Sequence, residues 1–242
     1  MIELQHLTVG YGEKAVLSDI NQTLKAGQLV CLLGANGVGK STILRTLAGF
    51  LSPLSGQVLL QGRDLLSLSP TERSRMVSIV LTERVEVPYM KVEDLVGMGR
   101  SPYTGFFGTL SKEDKAVIGK AIEMVGISDL ARRTIDTLSD GERQKALLAK
   151  ALAQQTPIIL LDEPTAFLDF HAKASTLRLL RHLAHETDKA ILLSTHDVGM
   201  ALRLSDALWI VQEGCVLAGT TDSLTENGAL QNFLQGEEAY VL

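Results

Sequence analysis

Gly34-Ala35-Asn36-Gly37-Val38-Gly39-Lys40-Ser41-Thr42 decides how the rest of the chain is read. It satisfies G-x-x-x-x-G-K-[ST], the spacing of a loop that wraps phosphate groups. Its flanks agree. Gln28 to Leu33 is an apolar run of strand length, and Ile43, Leu44, Leu47 and Ala48 place one apolar face on a helix opening at about Gly39. Glycines let the backbone curl so that several N–H groups converge on phosphate oxygens, and the helix adds the positive end of its dipole. Gly34, Asn36, Gly37, Gly39, Lys40, Ser41 and Thr42 are therefore the candidate triphosphate-binding residues. Lys40 is placed to reach the outer phosphates, and the Ser41 hydroxyl to hold Mg²⁺.

Outward from this loop, residues 2–9 alternate like a half-buried strand, Tyr11-Gly12 turns, and residues 15–24 offer a second strand. Further strands are predicted at residues 57–62, 76–81, 158–161, 190–194, 208–212 and 215–218, with a helix over 172–186. Strand–helix alternation predicts a mainly parallel sheet. From about residue 90 to 154 the pattern is helical, interrupted by a loop over 99–108. Ser111 with Asp114 opens a helix there, whose apolar face is Val117, Ile118, Ala121, Ile122 and Val125. The expected fold is thus α/β, of the P-loop NTPase (RecA-like) class, with an N-terminal antiparallel β portion. Residues 1–82 and 156–242 form the core, and 83–155 an inserted helical subdomain, within one domain over 1–242.

The 242 residues carry 28 acidic and 23 basic side chains, a net charge of −5. A mildly acidic chain without a Lys/Arg run predicts no nucleic-acid partner. Cys31 and Cys215 lie in apolar stretches and read as two buried thiols of a reducing compartment. His171, His182 and His185 lack metal-site spacing and read as solvated helix residues. Met1 leads directly into alternating residues, so no signal peptide is expected. No apolar run approaches the roughly 20 residues that span a bilayer.

Two further stretches carry chemistry. Pro157 to Leu161 is a continuous apolar run, as in a parallel strand covered on both faces, and it ends in Asp162-Glu163-Pro164. At the carboxyl edge of such a sheet Asp162 fits support of Mg²⁺, and Glu163 a base for the attacking water. The pair also reads as a plain turn before Pro164. Leu138-Ser139-Asp140-Gly141-Glu142 is a helix start with Ser139 as N-cap and Glu142 three residues on. A capped helix with Gly in its first turn is also an anion site, and the two readings coexist.

The order of these motifs, followed by Ala166-Phe167-Leu168-Asp169 and Ser194-Thr195-His196-Asp197, resembles the nucleotide-binding subunit of ATP-binding cassette (ABC) transporters over essentially the whole chain. The resemblance implies a Walker A loop at residues 34–42, a signature loop at 138–142 and Walker B ending at Asp162. It also implies catalytic Glu163, a D-loop around 166–169, a switch His196 at the γ-phosphate, and Tyr11 stacking on adenine; Tyr11 also reads as an ordinary packed aromatic. It implies ATP and Mg²⁺, and a head-to-tail homodimer in which Ser139 and Gly141 of one copy close on ATP held by the other.

The chain departs from the family's Leu-Ser-Gly-Gly-Gln at Asp140 and Glu142, where Asp is read as tolerating left-handed backbone angles. Thr82 falls where the family carries a metal-contacting Gln, so Thr82, or neighbouring Glu83, is the candidate metal contact. Slow basal hydrolysis or altered Mg²⁺ dependence follows. Residues 92–103 are similar to the corresponding region of importers of iron complexes, haem and cobalamin. That likeness implies permease subunits docked near Thr82, the place of the family's Q-loop, a substrate-binding protein upstream, and a place on the cytoplasmic face of the cell membrane. Tyr103, Phe106 and Phe107 are either anchors for the permease or fold back onto the helices. A soluble ABC-type ATPase, a small-molecule kinase and a non-hydrolysing nucleotide sensor are the competing readings. Permease binding, phosphoryl transfer to an acceptor, and dependence of phosphate release on Glu163 separate them.

Overall fold

The computed structural model describes residues 1–82, 89–105, 107–212 and 214–238. Glu83 and Phe106 lie outside the described residues. The chain opens with β1 (Ile2–Tyr11), β2 (Lys14–Ile20) and β3 (Thr23–Leu24), and returns to this sheet with β5 (Ser55–Leu60) and β6 (Arg63–Asp64). All pairings here are antiparallel, with β1 between β2 and β5. The single strand predicted over 15–24 is broken. Asp19 sits at φ 51°, and the Asn21 side chain bonds the Asp19 carbonyl at 3.0 Å and the His6 N–H at 2.8 Å. Such local side-chain bonds compete with a strand ladder.

The second sheet is built on β4 (Leu29–Leu33), with β7 (Val77–Val80), β8 (Ile158–Leu161), β9 (Ala190–Ser194), β10 (Ala207–Gln212) and β11 (Cys215–Gly219) in the order β11-β10-β4-β9-β8-β7. Every pair is parallel except β10–β11. Side chains alternate across it, as strand geometry requires. Leu29, Cys31 and Leu33 join the core under the helices, whereas Val30 and Leu32 join the core shared with the antiparallel sheet. Burial pushes the Cys31 thiol up to about 12. Cys215 is exposed, against the expectation of two buried thiols. On the edge strand β11 the alternation turns Val216 inward and Cys215 outward, where its thiol meets the Gln212 carbonyl at 3.0 Å.

Helix α1 (Lys40–Leu47) follows β4 directly, and α2 (Pro70–Met76) precedes β7. The interval predicted as helical holds α3 (Val92–Gly97), α4 (Lys112–Met124) and α5 (Asp140–Ala153), all packed on one another. Ser111 and Asp114 form the predicted reciprocal cap of α4. Asp114 also accepts from buried Arg100 at 2.8 Å, and Arg100 donates in turn to the Ala153 carbonyl at the end of α5. One buried guanidinium thus ties the loop after α3 to both longer helices. Helix α6 (Phe170–Thr187) covers β9, and α7 (Val198–Leu204) follows it. The stretch after Thr220 folds back as α8 (Thr221–Glu226) and α9 (Ala229–Glu238), placing Leu224, Leu230 and Phe233 in the helix-side core.

Because β7, β8, β9 and β4 run parallel, their carboxyl ends share one edge. That edge brings Gly34, Thr82, Asp162 and His196 together from four distant parts of the sequence. Among the described residues no helix is long and apolar enough to cross a membrane.

Candidate active site

The loop after β4 turns through Gly34, Gly37 and Gly39 at φ 152°, 79° and 115°. A Cβ on Gly34 would lie 2.9 Å from the Val211 carbonyl oxygen, so this position needs glycine for space as well as for angle. Gly39 is the N-cap of α1, whose first-turn N–H groups have no partner within the helix by construction. Lys40 is buried, and its ammonium donates back to the carbonyls of Gly34 at 2.7 Å and Ala35 at 3.1 Å. These bonds hold the loop in a curl around its own lysine. Tyr11 is half exposed, and its phenol oxygen is 3.5 Å from the Thr42 hydroxyl. Half of its surface is thus left uncovered, where the alternative reading was an ordinary packed aromatic.

Facing this loop is the end of β8. Asp162 is buried, and its N–H is held by the Val80 carbonyl at 2.8 Å. Its Oδ1 accepts from Ser194 Oγ at 2.7 Å, and its own carbonyl accepts from Thr82 Oγ1 at 2.9 Å. Glu163 then takes a left-handed backbone, φ 46°, a conformation that non-glycine residues reach seldom and hold at functional sites. Its N–H donates to Ser194 Oγ at 2.8 Å. One oxygen of its carboxylate lies 4.0 Å from Lys40 Nζ and the other 3.4 Å from His196 Nδ1. Lys40, Asp162, Glu163 and His196 therefore meet across a few ångströms.

Ser139 and Gly141 stand elsewhere. Ser139 caps α5 reciprocally with Glu142, whose carboxylate accepts the Ser139 N–H at 2.8 Å and hydroxyl at 2.9 Å and is thereby held below its ordinary range. Asp140 is the first residue of the helix and has no positive φ, so its tolerance of left-handed angles plays no part. Its charge instead suits the helix N-terminus. A Cβ on Gly141 would come to rest 3.8 Å from Leu168 Cδ2, beside the loop after Glu163 and not at Gly34–Lys40. A cleft lies between α5 and that loop, lined among others by Thr82, Asp140, Gln144, Asp162 and Glu163.

The helix histidines His171, His182 and His185 are all exposed as expected, and His185 Nε2 also bonds Asp206 at 2.9 Å. Among the described residues no group of His, Cys, Asp or Glu is placed to hold a metal by itself. The residue that the sequence reading missed is Ser194. It closes an otherwise apolar strand, and that lone hydroxyl at the end of Ala190–Ser194 was the available signal.

A curled glycine loop with a buried lysine, opposed by an acidic pair at the same sheet edge, defines a nucleotide-hydrolysing P-loop protein. The sequence profile of the ABC transporter family matches residues 17–166. The chain belongs to that family and is an ATPase of its cassette type. It is 40% identical over 218 residues to an uncharacterised ABC transporter ATP-binding protein of Methanocaldococcus jannaschii, covering 90% of this chain and 75% of that one. It is 39% identical to the cobalamin import ATP-binding protein BtuD of Halobacterium salinarum, covering 89% of this chain but only 54% of that one. With the ferric enterobactin transport ATP-binding protein FepC of Escherichia coli it shares 36% identity, over 88% of this chain and 79% of the relative. Among solved structures, an ABC transporter in an inward-facing conformation superposes with a TM-score of 0.81 at 27% identity, covering 92% of this chain and 84% of that one. A dimeric bacterial ABC transporter cassette gives 0.78 at 26% identity, over 91% and 99%.

Proposed function

We propose that the chain is the ATP-hydrolysing subunit of an importer, energising uptake of an iron complex or cobalamin through membrane permease subunits that it joins at the cytoplasmic face. The observation that carries the catalytic half is the meeting of Lys40, Glu163 and His196, with Glu163 Oε1 4.0 Å from Lys40 Nζ and Oε2 3.4 Å from His196 Nδ1. A base at the carboxyl edge of the sheet, beside the loop that holds the triphosphate, is placed to take a proton from the attacking water. Tyr11 stacks on the adenine, while Gly34, Asn36, Gly37, Gly39, Lys40, Ser41 and Thr42 hold the phosphates. His196 contacts the γ-phosphate.

The donors fit Mg²⁺. Ser41 and Asp162 offer hard oxygen ligands at one edge, and Mg²⁺ takes few protein oxygens beside water and phosphate. When bound, that ion neutralises charge on the β- and γ-phosphates.

Ser139 and Gly141 serve the partner copy in this reading. Gly141 sits by Leu168, away from its own phosphate loop, so the helix-start anion site is free to close on ATP held by a second, two-fold related protomer. We read residues 1–82 and 156–242 as the part that binds nucleotide and 83–155 as the part that follows the permease.

The cargo rests on similarity to siderophore and cobalamin import subunits. The test is co-purification with the membrane protein encoded beside it, then liposome reconstitution with ferric chelates, haem and cobalamin. ATP-driven uptake of one of them is the expected result. A soluble partner instead of a permease would overturn the transport reading.

A further inference from the structure

We infer that Ser194 and Thr82 are positioning residues that grip the peptide joining Asp162 to Glu163 and so set the geometry of ATP cleavage; this rests on the ATPase reading above. Both polar atoms of that one peptide are held by hydroxyls from the two strands flanking β8. The Asp162 carbonyl accepts from Thr82 Oγ1 at 2.9 Å, just beyond β7. The Glu163 N–H donates to Ser194 Oγ at 2.8 Å, on β9, and the same oxygen donates its proton to Asp162 Oδ1 at 2.7 Å. A hydroxyl has one proton and two acceptor sites, so Ser194 meets both demands at once.

The grip has something to resist. Glu163 holds φ 46°, and a peptide released from its two hydroxyls would relax toward the negative φ angles that side-chain-bearing residues prefer. That relaxation carries the carboxylate away from Lys40 and His196. Ser194 also fixes the rotation of the Asp162 carboxyl, leaving its second oxygen for other use. Ser194 is fully buried and Asp162 nearly so, which makes each of these bonds costly to lose. Thr82 occupies the place where a metal-contacting Gln was expected. Its proton is committed to the Asp162 carbonyl, so in this chain the position steadies the acidic pair from the side opposite Ser194.

The test compares Ser194→Ala, Ser194→Thr, Thr82→Val and Thr82→Ser with Glu163→Gln in the full chain. Steady-state hydrolysis, ATP affinity by calorimetry across a Mg²⁺ titration, and thermal unfolding are measured for each. Ser194→Ala is expected to lower kcat about tenfold or more with KM for ATP within about threefold, and to move the Mg²⁺ dependence of ATP binding to higher concentration. Ser194→Thr, which keeps the hydroxyl, recovers most of the rate. Thr82→Val lowers kcat with the Mg²⁺ dependence unchanged, and Thr82→Ser stays near wild type. Should Ser194→Ala unfold, Ser194→Cys supplies the same comparison with a weak donor. Rates within twofold of wild type for Ser194→Ala and Thr82→Val, while Glu163→Gln is inactive, overturn the inference. So does an equal loss in Ser194→Ala and Ser194→Thr with the Mg²⁺ dependence unmoved, which marks packing alone. A fully active Glu163→Gln brings down the active-site reading itself.

Discussion

His196 Nδ1 stands 3.4 Å from Glu163 Oε2, the imidazole exposed and the carboxylate largely enclosed. Glu163→Gln preserves the shape of that contact and removes the carboxylate proposed as the base. The expected outcome is a fall in kcat of about 10²–10⁴, the range of a lost general base, with ATP affinity changed by less than about threefold. Phosphate release and calorimetry on the same preparation read both. Phosphate release that survives the substitution would assign the proton to another group.

Gly39 makes a second prediction, about binding and not cleavage. Its φ of 115° lies where side-chain-bearing residues are strained, and an added Cβ would fall 2.8 Å from Val16 Cγ1. The Val16 methyl can give way; the backbone angle cannot without straightening the loop. Gly39→Ala should therefore weaken ATP binding about tenfold or more while the far-ultraviolet spectrum stays that of the folded chain. Unchanged affinity would mean that the loop tolerates a different curl.

The parts of this site that were legible in the sequence are those with short-range signatures. The glycine spacing of residues 34–39, the apolar run into Asp162-Glu163, and the Ser-x-x-Glu and Ser-x-x-Asp helix starts all act within a few residues. Strand β8 and the cap at Ser111 therefore appear where they were expected. The left-handed Glu163 and the double use of Ser194 depend on contacts between residues over 30 positions apart, which no local pattern encodes. Cys215 shows the same limit. An apolar edge strand reads like a central one, and only the sheet order reveals that Cys215 faces outward.

The aromatic loop after α3 yields a third prediction because its members part company. Tyr103 donates to the Gln154 carbonyl at 3.0 Å, and its ring is flanked by the guanidiniums of Arg100 at 4.0 Å and Arg75 at 5.1 Å. It folds back onto the helices. Phe107 is 90% exposed, and an aromatic of that exposure suits an anchor in a partner's groove. Phe107→Ala should weaken co-purification with the permease and leave the melting temperature and ATP affinity unchanged. Tyr103→Ala should lower the melting temperature, since it strips a ring from a buried cation. The opposite pattern would place the permease contact at Tyr103.

The Asp114 carboxylate, finally, gives the fold an acid limit. Hydrogen bonding by Ser111, then by Arg100, lowers it from 3.8 to about 2. A depressed folded-state value contributes stability in full above the unfolded value, so the contribution is present from about pH 4 upward and is lost as the pH falls toward 2. Glu72 is lowered to about 2 as well, chiefly by Arg63, but its side chain is 45% exposed and solvent screens the pair. Acid titration followed by circular dichroism should therefore show a steep loss between pH 4 and 2 in the wild type. Asp114→Asn, less stable at neutral pH because Arg100 is left buried beside a neutral group, should flatten that slope, and Glu72→Gln should barely change it. An unaltered slope in Asp114→Asn would move the acid-sensitive group elsewhere in the chain.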